Sequence, residues 1–191
     1  MNWIQFGRLI HSIYSHNGKL PDLDWIQRLG LLAVKLGQVH ALRSDFLEPA
    51  KCEHLSKLFR NNHSMGAEDF MKLVESTAVP GFISHFEDIE KNALASASVG
   101  QVHIGTLKDG TKVVIKAVKK DVRKNFKRDV SSVRGLFKFI SFFYRKLKRV
   151  GNPEAILNDI EEYTLSELDL NKEVDGVKVL SSIKEEDKDK Y

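Results

Sequence analysis

The sequence predicts an α+β fold, with a helical N-terminal extension followed by a small antiparallel sheet and two long helices. Three observations carry that expectation. Apolar residues recur every three to four positions through Trp3, Phe6, Ile10, Ile13 and Tyr14 and again from Leu23 onward. β-Branched runs flank Lys108-Asp109-Gly110-Thr111 near the middle of the chain, the mark of a hairpin. Helical spacing then returns in Phe126, Val130, Val133, Phe137, Ile140, Tyr144 and Leu147. The chain has 191 residues, 42% of them hydrophobic and 29% charged, which is enough to bury a core and too apolar for wholesale disorder.

In chain order, Asn17-Gly18 and Pro21 end the first helix. A second helix is expected from about Asp22 to Leu42, running across Gly37, an unfavourable helix residue. Shorter helices follow around Pro49 to Phe59 and Ala67 to Thr77, and Pro80-Gly81 closes the helical region. Strands are expected between Asn92 and Val118. A long helix should cover Val122 to Val150, and Gly151-Asn152-Pro153 should end it and start the next, with Asn152 as N-cap. That final helix is expected to run unbroken past Glu173 and to fray after Ser182. Residues 1–80 thus form the extension and 81–191 the lobe that contains the sheet.

Charge is unevenly placed. From Lys116 to Arg149 there are 13 Lys or Arg against Asp121 and Asp129, whereas Pro153 to Tyr191 holds 12 Asp or Glu against 5 Lys. Two readings of the basic segment follow. It can pair with the acidic tail, or its Lys119, Lys120, Arg123, Lys124, Lys127 and Arg128, together with Phe137, Phe139, Phe142 and Phe143, can rest on an anionic membrane surface. No nucleic-acid fold accompanies the charge. Cys52 is the only cysteine, so disulfides and thiolate metal sites are excluded and a reducing, intracellular setting is expected, cytoplasmic or peripheral to a membrane. The start of the chain lacks the layout of a secretory signal, and no apolar stretch reaches the length of a spanning helix. The seven histidines show no zincin pair, and no Ser, His and acid set stands out.

The run Ala95-Ser96-Ala97-Ser98-Val99-Gly100-Gln101-Val102-His103 is a stretch of small residues leading into a strand, and Val114-Ile115-Lys116 follows across the hairpin. Small residues let backbone N–H groups approach phosphates, and a lysine on the next strand can reach the same phosphates. That chemistry is the upper wall of a kinase nucleotide pocket. The alternative for the same residues is a surface hairpin with a solvated lysine. Neither a Walker A motif nor Gly-x-Gly-x-x-Gly is present.

Four patches together resemble the UbiB family of atypical kinases, also called the ADCK or AarF family. Lys35-Leu36-Gly37-Gln38, followed by Leu42-Arg43-Ser44-Asp45, matches its KxGQ motif; Ala95 to His103 matches its alanine-rich loop; Lys116 sits at its strand lysine; and Glu167-Leu168-Asp169 with Glu173 matches its ExD motif and helix glutamate. The resemblance implies a protein-kinase-like N-lobe behind a KxGQ extension, with Ala95, Ser96, Ala97, Ser98, Val99, Gly100, Gln101, Lys116 and Glu173 around a nucleotide. It implies that Lys116 pairs with Glu173, and that Glu167 and Asp169 face Lys35 and Gln38 in a regulatory or substrate pocket. It also implies ATP or ADP with Mg²⁺ as cofactor in the complete protein, and a link to ubiquinone or other isoprenoid-lipid metabolism. Only 18 residues follow Glu173 and none forms Asp-Phe-Gly or a catalytic Asp-Asn set, so the C-lobe is expected to be absent, or supplied in trans. The chain alone is accordingly not expected to transfer phosphate, and no catalytic or metal-binding residue is assigned within it.

Overall fold

A computed structural model of the chain describes residues 1–16, 18–59, 65–143 and 153–178. Helix α1 (Trp3–Tyr14) opens on a reciprocal cap, in which Asn2 Oδ1 accepts from the Gln5 N–H and Gln5 Oε1 accepts from the Asn2 N–H. Its inner face buries Phe6, Leu9 and Ile13. At its other end the buried Lys51, from α4 (Pro49–Ser56), donates to the Ile13 carbonyl at 3.2 Å and also to the Ser15 carbonyl. A cation there satisfies carbonyls that the helix leaves unpaired and complements its dipole.

The single helix expected from Asp22 to Leu42 is two helices, α2 (Leu23–Leu29) and α3 (Leu31–Ala41). The break falls at Gly30, whose φ of 109° suits glycine alone, whereas Gly37, the glycine that weighed against the helix in the sequence, lies inside α3. Every residue from Leu32 to Gln38 is buried. Helix α3 is therefore the hub of the larger core, where it meets α1, α2, α4 and two later helices, α6 (Val122–Phe143) and α7 (Pro153–Glu167). Phe126, Val130 and Val133 of α6 and Leu157 and Ile160 of α7 join that core directly. Arg134 of α6 also donates to Glu161 and Asn158 of α7, at 2.6 and 2.8 Å. Pro153 is the first residue of α7, as expected; Asn152, Tyr144, Leu147 and the segment after Ser182 lie outside the described residues.

Four antiparallel strands make the sheet: β1 (Phe86–Ile89), β2 (Ala95–Ser96), β3 (Gly100–Leu107) and β4 (Lys112–Val118). On one side of β3, β1 pairs with its C-terminal half and β2 with its N-terminal half, and β4 runs along its other side. The Lys108–Thr111 hairpin closes where the Asp-Gly pair places it, with the Asp109 side chain accepting from the Thr111 N–H at 2.9 Å. Strand β1 had no counterpart in the sequence reading, because Phe-Glu-Asp-Ile is short and carries two acidic residues.

Helix α5 (Ala67–Thr77), expected within the extension, packs on the sheet instead: Phe70, Leu73 and Val74 meet Ile115 and Ala117 in a second core. The expected boundary at residue 80 therefore does not divide the two cores. Between α5 and β3 the buried Gln101 side chain accepts from the Met65 N–H at 2.6 Å and donates to the Met65 carbonyl at 3.0 Å. His103 stacks on Phe70 with ring centroids 3.7 Å apart and engages the Glu90 carbonyl through Nδ1 at 2.7 Å. These polar groups are matched inside the core, as burial requires.

The last expected helix is also interrupted. Helix α7 ends at Glu167, Leu168 and Asp169 form a turn, and helix resumes over residues 170–178. Asp169 caps the resumed segment, its carboxylate accepting from the Asn171 N–H at 3.2 Å and its carbonyl from the Lys172 N–H at 3.1 Å.

His40 near the end of α3 lies edge-on to Tyr14 at 5.3 Å, with Nδ1 2.7 Å from the Leu36 carbonyl. Burial lowers its pKa; the Leu36 carbonyl opposes that shift and Arg43 reinforces it. A lowered folded-state pKa means that the unfolded chain binds the proton more readily, so folding stability should fall as pH drops through the ordinary histidine value of about 6.5. His40→Gln should flatten that loss in thermal melts between about pH 8 and pH 5. A wild-type and variant difference that stays constant with pH would contradict it.

Candidate functional site

The small-residue run folds as a tight hairpin. Ala95 and Ser96 form β2 and pair with Val102 and Gln101, and the Ala97 N–H donates to the Gly100 carbonyl at 2.8 Å to close the turn. Val99 is buried, and its carbonyl accepts from the Lys119 N–H at 3.0 Å, which fastens the loop to the end of β4. Residues directly opposite one another in a sheet point to the same face, so Ala95, Val102 and Lys116 lie in one row. That face is turned away from α5. There Lys116 Nζ donates to Glu173 Oε1, on the helical segment after the turn. Both side chains keep some solvent exposure, so the pair is an accessible charged group.

Gln101 points to the other face. Alternation along β3 puts it beside His103 and the Met65 backbone, so its side chain fastens α5 to the sheet.

The KxGQ residues act on two neighbours. Lys35 Nζ donates to Glu167 Oε2 at the end of α7 and lies 5.3 Å from the centre of the Tyr163 ring. Gln38 Nε2 donates to the Leu58 carbonyl at 3.0 Å. A Cβ on Gly37 would stand 2.5 Å from Leu58 Cδ1, so a larger residue there would oblige the Leu58 side chain, in the Lys57–Phe59 turn, to shift. Glu167 raises the pKa of Tyr163, by its charge first and by a hydrogen bond second. Asp169 does not join Lys35 and Gln38 as expected. The turn at Leu168–Asp169 swings it into a neighbouring groove with Arg123 and Lys172, where it serves as a helix cap.

Between α3, the hairpin loop and α7 lies a cavity of about 500 Å³, lined by Lys35, Gln38, Ala97, Ser98 and Glu167 together with residues that sequence reasoning missed. These are Val39, Leu42, Phe59, Asp159, Ile160, Tyr163 and Thr164. Asp159, Ile160, Tyr163, Thr164 and Glu167 share the spacing of one helix face, a signal the sequence did contain. Lys116 borders a separate cavity of about 340 Å³ with Thr77, Phe82 and Leu170. Among the described residues no three His, Cys, Asp or Glu side chains gather as metal ligands would. No helix among them is long and apolar enough to cross a membrane.

A family model described as the ABC1 atypical kinase-like domain matches residues 57–189, most of the chain and all of the sheet. The chain belongs to the ABC1 atypical kinase-like family. Its curated relatives include the probable protein kinase UbiB of Haemophilus ducreyi, 32% identical over 154 residues, covering 78% of this chain and 28% of that protein. The probable protein kinase UbiB of Aeromonas salmonicida is 30% identical over 177 residues, covering 87% of this chain and 32% of that protein. The chain thus spans less than a third of the length of either. A solved complex of Rv3197 with erythromycin from Mycobacterium tuberculosis aligns with 78% of this chain and 37% of that one, at 19% identity and a TM-score of 0.46. The family model and the UbiB relatives bear out the UbiB resemblance and its kinase-like domain, and the helices and antiparallel sheet described above bear out the α+β class.

In this ABC1-family chain the latch between α3 and α7 should be measurable. Lys35 is nearly buried and Glu167 partly so, and truncating one partner leaves the other charge poorly solvated. A double-mutant cycle of Lys35→Met and Glu167→Gln, read by urea unfolding, should give a coupling of about 1–3 kcal/mol. Additive single effects would show that the two groups do not stabilise one another.

Proposed function

We propose that the chain forms the nucleotide-covering part of an ATP- or ADP-binding site in an atypical kinase or ATPase. The observation that carries this reading is the accessible Lys116–Glu173 pair, set on the same sheet face as Ala95 at the base of the small-residue hairpin. A strand lysine held by a helix carboxylate is how kinase-like folds orient the α and β phosphates, and a hairpin of small residues offers its backbone to the same groups. Alanine and serine in that hairpin, where glycine is more usual, restrict the backbone and stiffen the cover. In the complete protein the nucleotide would bind with Mg²⁺, which supplies charge neutralisation at the phosphates when bound. Within this chain, Lys116 and the hairpin backbone bind and orient. By resemblance to UbiB, the process served is ubiquinone or other isoprenoid-lipid metabolism.

ADP with Mg²⁺ at about ten times its Kd should raise the melting temperature by about 3–5 °C. Lys116→Ala should remove the shift. A shift of the same size in that variant would place the nucleotide elsewhere.

A second reading rests on its own observation. Helices α1 and α6 together expose Trp3, Ile4, Phe139 and Phe142, the last two at 54% and 81%, with the Trp3 and Phe139 rings 5.8 Å apart. Exposed Arg123, Lys124, Lys127, Arg128 and Lys138 lie on the same helix α6. Aromatic side chains beside cations suit an anionic membrane surface. The chain should float with vesicles containing phosphatidylglycerol and stay behind with pure phosphatidylcholine, and a Phe139→Ser, Phe142→Ser double variant should lose the difference. Equal, negligible flotation with both lipids would remove this reading.

A further inference from the structure

Behind the sheet, on the face opposite the Lys116–Glu173 pair, four groups form a hydrogen-bonded relay in which each direction is fixed. Gln101 and His103 of β3 are buried, at 0% and 1% exposure. Gln101 Oε1 accepts from the Met65 N–H at 2.6 Å, so Nε2 is the atom that donates to the Met65 carbonyl, at 3.0 Å. The second hydrogen on Nε2 meets His103 Nε2 at 2.8 Å, and that ring nitrogen accepts it. Nδ1 therefore carries the ring proton and donates to the Glu90 carbonyl at 2.7 Å. Turning the Gln101 amide over would set N–H against N–H and oxygen against oxygen at Met65, so neither side chain can reverse alone.

This relay ties down the base of the small-residue hairpin. Gln101 pairs with Ser96 and directly follows Gly100, whose carbonyl accepts from the Ala97 N–H to close the turn. Its side chain grips the backbone of Met65 just before α5, His103 stacks on Phe70 of α5, and Glu90 directly follows β1. The hairpin thus shares a strand with a buried lock that joins three elements. Buried hydrogen bonds in series polarise one another, and breaking one leaves a donor or acceptor unpaired. We propose that Gln101 and His103 are positioning residues for the hairpin: they hold Ala97 to Gly100 in the form that covers the nucleotide, so the docking of α5 sets nucleotide affinity. The ligand in this statement rests on the nucleotide reading above; the lock itself does not. A cover held in its bound shape loses less freedom on binding, so loosening it lowers affinity.

Amide hydrogen exchange read by NMR tests the lock without a nucleotide. Gln101→Leu removes the amide at the centre of the relay. It should speed exchange by about tenfold at the Ala97 and Lys119 amides, which close the hairpin and fasten it to β4, while Val34 and Leu36 in the core of α3 keep their wild-type rates. His103→Phe keeps the ring stack and deletes only the ring's hydrogen bonds, so it should give the same pattern at smaller size, and it serves if the leucine variant folds poorly. In the wild-type chain, nitrogen-15 spectra should show His103 protonated at Nδ1. With ADP and Mg²⁺, both variants should bind about three- to tenfold more weakly than wild type, with Lys116 and Glu173 unaltered. Absence of ADP binding by the wild-type chain would remove the nucleotide reading, and the exchange rates would then decide on the lock alone. Faster exchange confined to α5, with Ala97 and Lys119 unchanged, would show that Gln101 only fastens that helix. A uniform rise that includes Val34 and Leu36, a wild-type ring protonated at Nε2, or a loosened hairpin with undiminished ADP affinity would likewise overturn the assignment.

Discussion

Two ammonium groups from two separate cores find their carboxylates on either side of a single turn. Lys35 belongs to α3, the buried centre of the helical core, and reaches Glu167 at the last residue of α7. Lys116 belongs to the sheet and reaches Glu173 on the segment that begins after Asp169. A straight helix would space these carboxylates on a fixed cylinder and bind them to one direction of approach. The turn at Leu168–Asp169 separates the two directions, with Leu168 buried beneath it and Asp169 satisfying the backbone groups it frees. Both lysine–glutamate pairs of the candidate site are arranged around that junction.

The extension is correspondingly part of the fold's interior. Phe6, Leu9, Ile13, Ile26 and Leu32 share one buried cluster with Phe126, Val130, Val133, Leu157 and Ile160. Burying a side chain of that size contributes about 1.5–3 kcal/mol each, so lifting α3 away from α7 would cost far more than the Lys35–Glu167 pair returns. The ion pair therefore sets direction and register between two helices already held by apolar contact. Its position in the lining of a cavity, beside an aromatic ring, makes it a wall of that cavity as much as a fastening.

Local signals in the sequence were read well where one residue type decides the outcome. The Asp-Gly hairpin, Pro153 at the start of α7 and the span of α5 all follow from turn chemistry or a clean apolar face. Two helix breaks were missed for a common reason: the apolar periodicity continues through them. Leu29, Leu32 and Leu36 keep helical spacing across Gly30, and Leu165 and Leu168 keep it into the second turn, so only the backbone angle at Gly30 and the cap at Asp169 reveal them. The charged residues of the site were legible as a pattern shared with a known family, and that pattern placed Lys35 with Glu167 and Lys116 with Glu173. It did not separate Asp169 from Lys35, nor show that Gln101 serves the opposite face, since both depend on which way a turn or a strand presents its side chains.

The sheet face on which Lys116 emerges depends in turn on one contact in β3. Side chains alternate along a strand, so a slip of one residue between β3 and β4 would send Lys116 toward α5 and bring Ile115 or Ala117 into the open. Two features oppose the slip. Gln101 and His103 are matched to Met65, Glu90 and Phe70 on the α5 side, and the opposite register would bury Val102 there and strand those polar groups. At the end of the pairing, a Cβ on Gly100 would stand 2.7 Å from the Ala117 carbonyl oxygen, so the two backbones meet at a distance that a larger residue could not share. Glycine at that position is thus a constraint on register as well as a member of the small-residue run. The chemistry assigned to the strand lysine rests on that backbone contact, because it decides the face from which the ammonium group reaches Glu173.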